Sequence, residues 1–106
     1  MWICFNNAFV SAIENINNPN MLVIRARHKD HLNNLFPDAT VTVTPNRDYR
    51  YRIDVTKQEF ADMVSKNIMN INYNNFKKSV NDNDLHDLYA KFWTLHYSYQ
   101  EWGKGA

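Results

Sequence analysis

The sequence predicts an α+β fold: a single antiparallel sheet of four to five strands with helices packed on one face, in the order β-β-β-α-β-β-α-α. Three observations carry this expectation. Runs with period-two alternation occupy the chain up to Val55, helical periodicity takes over from Thr56, and the breaks between runs are short turns rich in Asn and Pro that reverse the chain. A length of 106 residues suits one domain, residues 1–106, and Phe, Tyr and Trp at 14% of the chain give its core a large apolar content.

Residues 1–5 and 8–14 read as extended apolar segments broken at Asn6-Asn7, a pair that tolerates turn or bulge geometry. Residues 15–20, holding Pro19, read as a turn. Residues 21–27 form the next strand, with Leu22, Ile24 and Ala26 on one side and Val23, Arg25 and Arg27 on the other. Asp30 can cap a short helix that runs to Phe36 and is stopped by Pro37. Residues 40–44 alternate valine and threonine as a strand, Pro45-Asn46-Arg47-Asp48 turns the chain, and residues 49–55 return with Tyr49, Tyr51, Ile53 and Val55 on one face.

Thr56-Lys57-Gln58-Glu59 is a capping box, in which hydroxyl and carboxylate each take a backbone N–H of the other residue. The helix it opens carries Phe60, Met63, Val64, Asn67 and Ile68 on one stripe. Residues 70–79 are a polar connection holding Ile71, Tyr73 and Phe76. A last helix starts near Asp82 to Asp84, acidic where the helix dipole is positive, and runs to about Gln100, where two late glycines end it. Leu85, Leu88, Phe92, Leu95 and Tyr99 form its expected core stripe, while Tyr89, Trp93, His96 and Tyr97 form a second aromatic stripe beside it. A helix apolar over so much of its circumference is either sandwiched or pressed on another chain, so these four residues are candidate interface residues for a homodimer or a protein partner.

Net charge near +1 argues against a carboxylate-built nucleic-acid mimic and against a generally basic coat for DNA. All five arginines nevertheless fall between positions 25 and 52. Alternation sends Arg25 and Arg27 to one face of their strand and Arg50 and Arg52 to one face of theirs, so neighbouring strands gather them into a cationic patch. With Tyr49 beside it, that patch can hold phosphates, meet an acidic protein surface, or lie solvated and paired with Asp48 and Asp54. Cys4, the only cysteine, sits in an apolar run that reads as a buried strand; one thiol closes no intrachain disulfide, which points to a reducing cytoplasm. Nothing reads as a signal peptide, and no run of about 18 apolar residues calls for a membrane.

His28, His31, His86 and His96 keep no recognised zinc spacing, and no metal site is assigned to them. A dyad of His86 with Asp82, Asp84 or Asp87 has no nucleophile motif, phosphate loop or dinucleotide fingerprint beside it, so no catalytic residue and no cofactor are assigned. In Tyr73-Asn74-Asn75-Phe76-Lys77 the aromatics read as anchors of a connection, and Asn75 and Lys77 are candidate ligand-binding residues. The 16 asparagines keep no period and receive no chemistry.

These motifs together, namely Met1-Trp2-Ile3, Phe9-Val10-Ser11, Arg25-Ala26-Arg27, Asp48-Tyr49 with Tyr51-Arg52, Tyr73 to Lys77, and His86-Asp87 with Tyr89 and Trp93, resemble a family of small uncharacterised bacterial proteins that also occurs in phages and prophages. Asn72 departs from the family's usual aspartate, and the aromatic tail at residues 97–102 is particular to this chain. The resemblance implies a mobile-element setting and no established activity. Combined with the arginine patch and the aromatic helix, it leads to the expectation of a non-enzymatic binding protein that occupies a host protein or ribonucleoprotein complex, as anti-CRISPR proteins do. The alternative is a nucleic-acid-binding or processing protein in which Arg25, Arg27, Arg50 and Arg52 contact phosphates and tyrosines stack bases.

Overall fold

The structure, a computed structural model, describes residues 1–103 of the chain. They form two compact units, Met1–Asn72 and a second beginning at Tyr73. The first unit holds β1 (Trp2–Phe5), β2 (Ala8–Asn15), β3 (Asn18–Ala26), α1 (Lys29–Leu35), β4 (Thr42–Val43), β5 (Tyr51–Thr56) and α2 (Lys57–Met69). Its strands make one antiparallel sheet in the order β1-β2-β3-β5-β4, the α+β architecture that the alternation pattern predicts.

Register explains the core. Ile3 pairs with Val10, Ala12 with Ile24, Ile24 with Ile53, and Leu22 with Val55, which lines the apolar positions of four strands on one face. Leu32 and Leu35 of α1 and Phe60 and Met63 of α2 close over that face. Ile24 and Leu32 are wholly buried, each stabilising the fold by roughly 1.5–3 kcal/mol through its removal from water. The capping box forms as expected: the Glu59 N–H donates to Thr56 Oγ1 at 3.0 Å and the Thr56 N–H to Glu59 Oε1 at 3.0 Å, so β5 turns directly into α2.

Several details differ from the sequence reading. The turn expected over residues 15–20 is tighter, because β3 begins at Asn18 and pairs it with Asn15. A register shift at Glu14/Asn15 takes up the irregularity, and Asn15 Oδ1 accepts the Asn17 N–H at 2.9 Å. Pro19 therefore stands near the start of a strand, where a missing N–H costs least. Asp30 does not cap α1; the N-cap is His28, which makes no side-chain bond, and Asp30 lies in the first turn, where the dipole favours it. Cys4 is exposed rather than buried, since Ile3 and Phe5 take the inward positions of β1. The strand expected over residues 40–44 shrinks to Thr42 and Val43, so beyond Arg52 the outer edge of β5 borders a groove lined by Pro37, Asp38, Thr40, Asp54 and Glu59.

The second unit holds a 3-10 turn at Lys77–Ser79 and the long helix α3 (Asn83–Glu101). Asp82 caps α3, its Oδ1 accepting the Leu85 N–H at 2.8 Å. Tyr89 is buried at 3% exposure, its ring 5.2 Å from Phe76 and 5.9 Å from Phe92. It lies one turn beyond buried Leu85 and shares its face, which places it in the core rather than on the expected interface stripe. Leu95 and Tyr99, expected in the core, are 57% and 62% exposed. Gly103 follows the helix at φ 67°, a left-handed conformation that favours glycine; Gly105 lies outside the described residues. Among the described residues no helix is long and apolar enough to cross a membrane.

Candidate anion-binding site

β3 and β5 are direct neighbours, and their register sets Arg25 opposite Arg52, one rung along from Ile24 and Ile53. Alternation therefore turns both arginines away from the core. Ser11 pairs with Arg25 from the other side and Thr42 pairs with Arg52, so a polar row Ser11, Arg25, Arg52, Thr42 crosses the sheet. Like charges directly opposite in an antiparallel pair are destabilising by roughly 0.2–1 kcal/mol, so local packing alone does not favour this row.

Tyr49 organises the cations. Its ring is 4% exposed and carries two guanidinium groups, Arg25 at 4.5 Å and Arg27 at 4.3 Å from the centroid. Arg25 Nη2 also donates to Ser11 Oγ at 2.7 Å, and Arg27 Nη1 donates to the Asp48 carbonyl at 2.7 Å. The preceding loop is held so that the ring can reach them: the Tyr49 N–H donates to Asp48 Oδ1 at 2.9 Å, and Thr44 Oγ1 donates to the Tyr49 carbonyl at 2.9 Å. Tyr49 thus lies ahead of β5, and the alternation that groups it with Tyr51, Ile53 and Val55 does not reach it. Tyr51 packs against the core, as its parity requires, whereas the Tyr49 ring stands among the arginines of the opposite face.

Among the described residues no arginine has a carboxylate oxygen within 4.0 Å. Asp48 accepts the Tyr49 N–H at 2.9 Å, and Asp54 accepts from Asn15 Nδ2 at 3.2 Å. Arg25 Nε and Arg52 Nε are buried without an acceptor. Burial pushes the Arg52 guanidinium below its ordinary pKa, and the cations Arg47 and Arg25 push the same way against the weaker opposing effect of Asp48. Concentrated guanidinium charge is the chemistry that suits an anion, and it offers no group that exchanges protons near neutral pH.

Of the residues singled out in the sequence, Arg25, Arg27, Arg52 and Tyr49 come together. Arg50 is exposed and is not among the charges that act on Arg52; its carbonyl accepts from Thr44. Arg47 and Ser11 join the site without having been singled out for it. Arg47 stands two residues before Tyr49 in the turn, and Ser11 is the one hydroxyl in an apolar strand, facing away from the core by parity; those are the signals that mark them.

Asn75 and Lys77 have structural duties in the second unit. Asn75 Oδ1 accepts the Lys78 N–H at 3.2 Å, and the Lys77 ammonium lies 4.5 Å from the Trp93 ring centroid. Trp93 and Tyr97 stack at 5.4 Å and, like His96, are exposed. No group of three His, Cys, Asp or Glu side chains placed to hold a metal occurs among the described residues. His31 Nδ1 accepts the Phe9 N–H at 3.2 Å, and His86 and Asp87 meet at 3.8 Å on the surface. Compared with family models, with curated proteins and with solved structures, the chain matches none.

Proposed function

We propose that the chain is a small non-enzymatic binding protein of phage or mobile-element origin. Its arginine site docks an anionic surface of a host protein or ribonucleoprotein complex and so inhibits a host defence system by occlusion, as anti-CRISPR proteins do. One observation supports the binding role above the others: Arg25 and Arg27 lie over the Tyr49 ring, Arg52 stands opposite Arg25 and feels the charge of Arg47, and among the described residues none of these arginines has a carboxylate oxygen within 4.0 Å. A protein that kept these side chains only for a solvated surface would gain from pairing them with Asp48 and Asp54. The host-defence setting comes from the resemblance to phage-linked proteins. The nucleic-acid alternative keeps its phosphate contacts but loses its stacking surfaces, since Tyr49 is buried and Tyr51 turns to the core.

The test is co-purification with CRISPR effector complexes together with an interference assay in cells, using the wild type and the double variant Arg27→Ala/Arg47→Ala, both at exposed positions. The expected result is capture and loss of interference with the wild type, both abolished in a variant whose circular dichroism is unchanged. Full interference and no capture with every effector type tried would sink the reading. A shift of labelled oligonucleotides that weakens with salt, at a log–log slope of about −3 for three to four neutralised phosphates, would transfer the site to nucleic acid instead.

A further inference from the structure

The arginines of the site divide into two pairs by what their guanidinium groups already hold. Arg25 and Arg27 are engaged: both lie over the Tyr49 ring, and each donates a hydrogen bond, to Ser11 Oγ and to the Asp48 carbonyl. Arg47 and Arg52 are not. The Arg52 side chain makes no hydrogen bond or ion pair with the described residues, and of its guanidinium nitrogens only Nε is shut away from solvent, so the fork of Nη1 and Nη2 meets water. Arg47 is exposed, and its side chain likewise has no partner among the described residues.

The backbone that carries Arg47 is nevertheless held in place. Its N–H donates to the Thr44 carbonyl at 3.1 Å, and the Thr44 N–H and hydroxyl close the same loop on the carbonyls of Arg50 and Tyr49. Of the two cations that lower the pKa of Arg52, Arg47 acts more strongly than Arg25, although Arg25 pairs with Arg52 across the ladder. Two unengaged forks therefore stand near each other, backed by two further cations, and among the described residues no carboxylate oxygen lies within 4.0 Å of any of them.

We infer that this site takes a dianionic phosphate monoester, carried on a side chain of the protein it docks, with Arg47 and Arg52 as its two forks. The inference rests on the proposed function for the partner being a protein, and adds the group that is recognised. A carboxylate has two oxygens and a single charge, enough for one fork. A phosphate monoester has three terminal oxygens and a charge of about −1.5 to −2 near pH 7, enough for two forks at once. The diester of a nucleic-acid backbone offers a single charge, and with Tyr49 buried and Tyr51 turned to the core neither ring is placed to stack its bases. Arg25 and Arg27, stacked on one ring, supply fixed positive charge that needs little reorganisation when the ligand arrives.

Heteronuclear NMR of the full chain reads this at the site, since the Arg25 and Arg52 Nε–H groups are buried and report on their own guanidinium groups. The probes are the capped tripeptides Gly-phosphoserine-Gly and Gly-Glu-Gly, and a short thymidine oligonucleotide with a 5′-phosphate. The phosphoserine peptide should shift the Arg52 Nε–H saturably at about pH 7.5 and bind at least about tenfold more tightly than the glutamate peptide. Lowering the pH to about 5 should weaken its binding about tenfold, which is the fall in the dianion for a second pKa near 6. That direction belongs to the ligand alone. Acidification adds positive charge to the protein, at Asp48 and at His28 beside Arg27, and would strengthen the binding of a fixed anion. Arg47→Ala and Arg52→Met should each lose at least about tenfold in affinity with unchanged circular dichroism, while Arg50→Ala binds like the wild type.

Equal affinity for the two peptides, affinity that stays flat or rises on acidification, or Arg47→Ala binding like the wild type overturns the inference. So does an oligonucleotide that binds more tightly than the phosphoserine peptide, which gives the site to a nucleic-acid end. If the peptides bind alike while Arg27→Ala/Arg47→Ala still loses capture of the host complex, the phosphate is excluded and the docking role stands. Phosphoserine-selective binding without capture of any effector upholds the phosphate and removes the host-defence reading.

Discussion

Neighbouring rungs of the β3–β5 ladder hold opposite contents. Ile24 faces Ile53 on one side of the sheet, and one residue along Arg25 faces Arg52 on the other. Adjacent rungs of an antiparallel ladder alternate between hydrogen-bonded and non-hydrogen-bonded pairs, and beyond that alternation the difference lies in the side chains. The isoleucine pair is buried and gains from leaving water, while the arginine pair is half-buried, crowds like charge and leaves two Nε donors without acceptors. The comparison separates what holds the sheet together from what the sheet displays. The first rung stabilises the fold, and the second is carried at a cost.

The rungs can be set against each other by substitution, and the core rung should give the largest effect. Ile24→Ala removes a wholly buried side chain and should destabilise the domain by about 3–4 kcal/mol in chemical denaturation. Ile53→Val takes one methylene from the same rung and should cost about 1 kcal/mol by the same measurement. Arg52→Met keeps the stem and deletes the charge, so it should leave stability unchanged or raise it by up to about 1 kcal/mol. A loss above about 2 kcal/mol in Arg52→Met would show that the cation is structural and erase the contrast between the rungs.

The sign of the pH dependence follows from the direction of the Arg52 shift. Its pKa is lowered in the folded chain, so the protonated guanidinium is less favoured there than in the unfolded chain. That penalty is present in full below the folded pKa and fades only as pH rises through it. The difference in stability between Arg52→Met and the wild type should therefore be flat from about pH 5 to pH 9. The smallest effect expected is that of added sulfate: it should raise the melting temperature of the wild type by a degree or two, roughly, beyond its general effect on Arg52→Met. Equal shifts in the two proteins would mean that no anion is held at the rung.

Parity made much of this readable in advance. Period two over residues 21–27 and 49–55 is enough to place Arg25 and Arg52 on the face opposite Ile24 and Ile53, and the capping box at Thr56 sets the junction of β5 and α2. Parity fails where the strand does. Tyr49 belongs to a loop pinned by Thr44 and Asp48, so counting back from Tyr51 assigns its ring to the wrong face. Arg47 enters the site through the same loop, whose path depends on hydrogen bonds that no local pattern encodes. On α3 the helical repeat assigns Tyr89 to an interface stripe and Leu95 and Tyr99 to a core stripe, and it says neither which stripe is covered nor how far along the helix burial extends. Tyr89 is covered and Tyr99 is not, although each belongs to a stripe of the same kind. Cys4 misleads for a simpler reason, since an apolar run in a strand with one wetted face still sends every second side chain outward.

The shortness of β4 bears on how the molecule avoids its own kind. A sheet whose last strand spans only Thr42 and Val43 leaves most of the β5 border open to an incoming strand, the geometry from which fibrils grow. Here that border runs beside Pro37, which has no amide proton to offer, and beside Asp38, Asp54 and Glu59, whose carboxylates an added strand would have to strip of water. Growth of the sheet from molecule to molecule is discouraged at that edge.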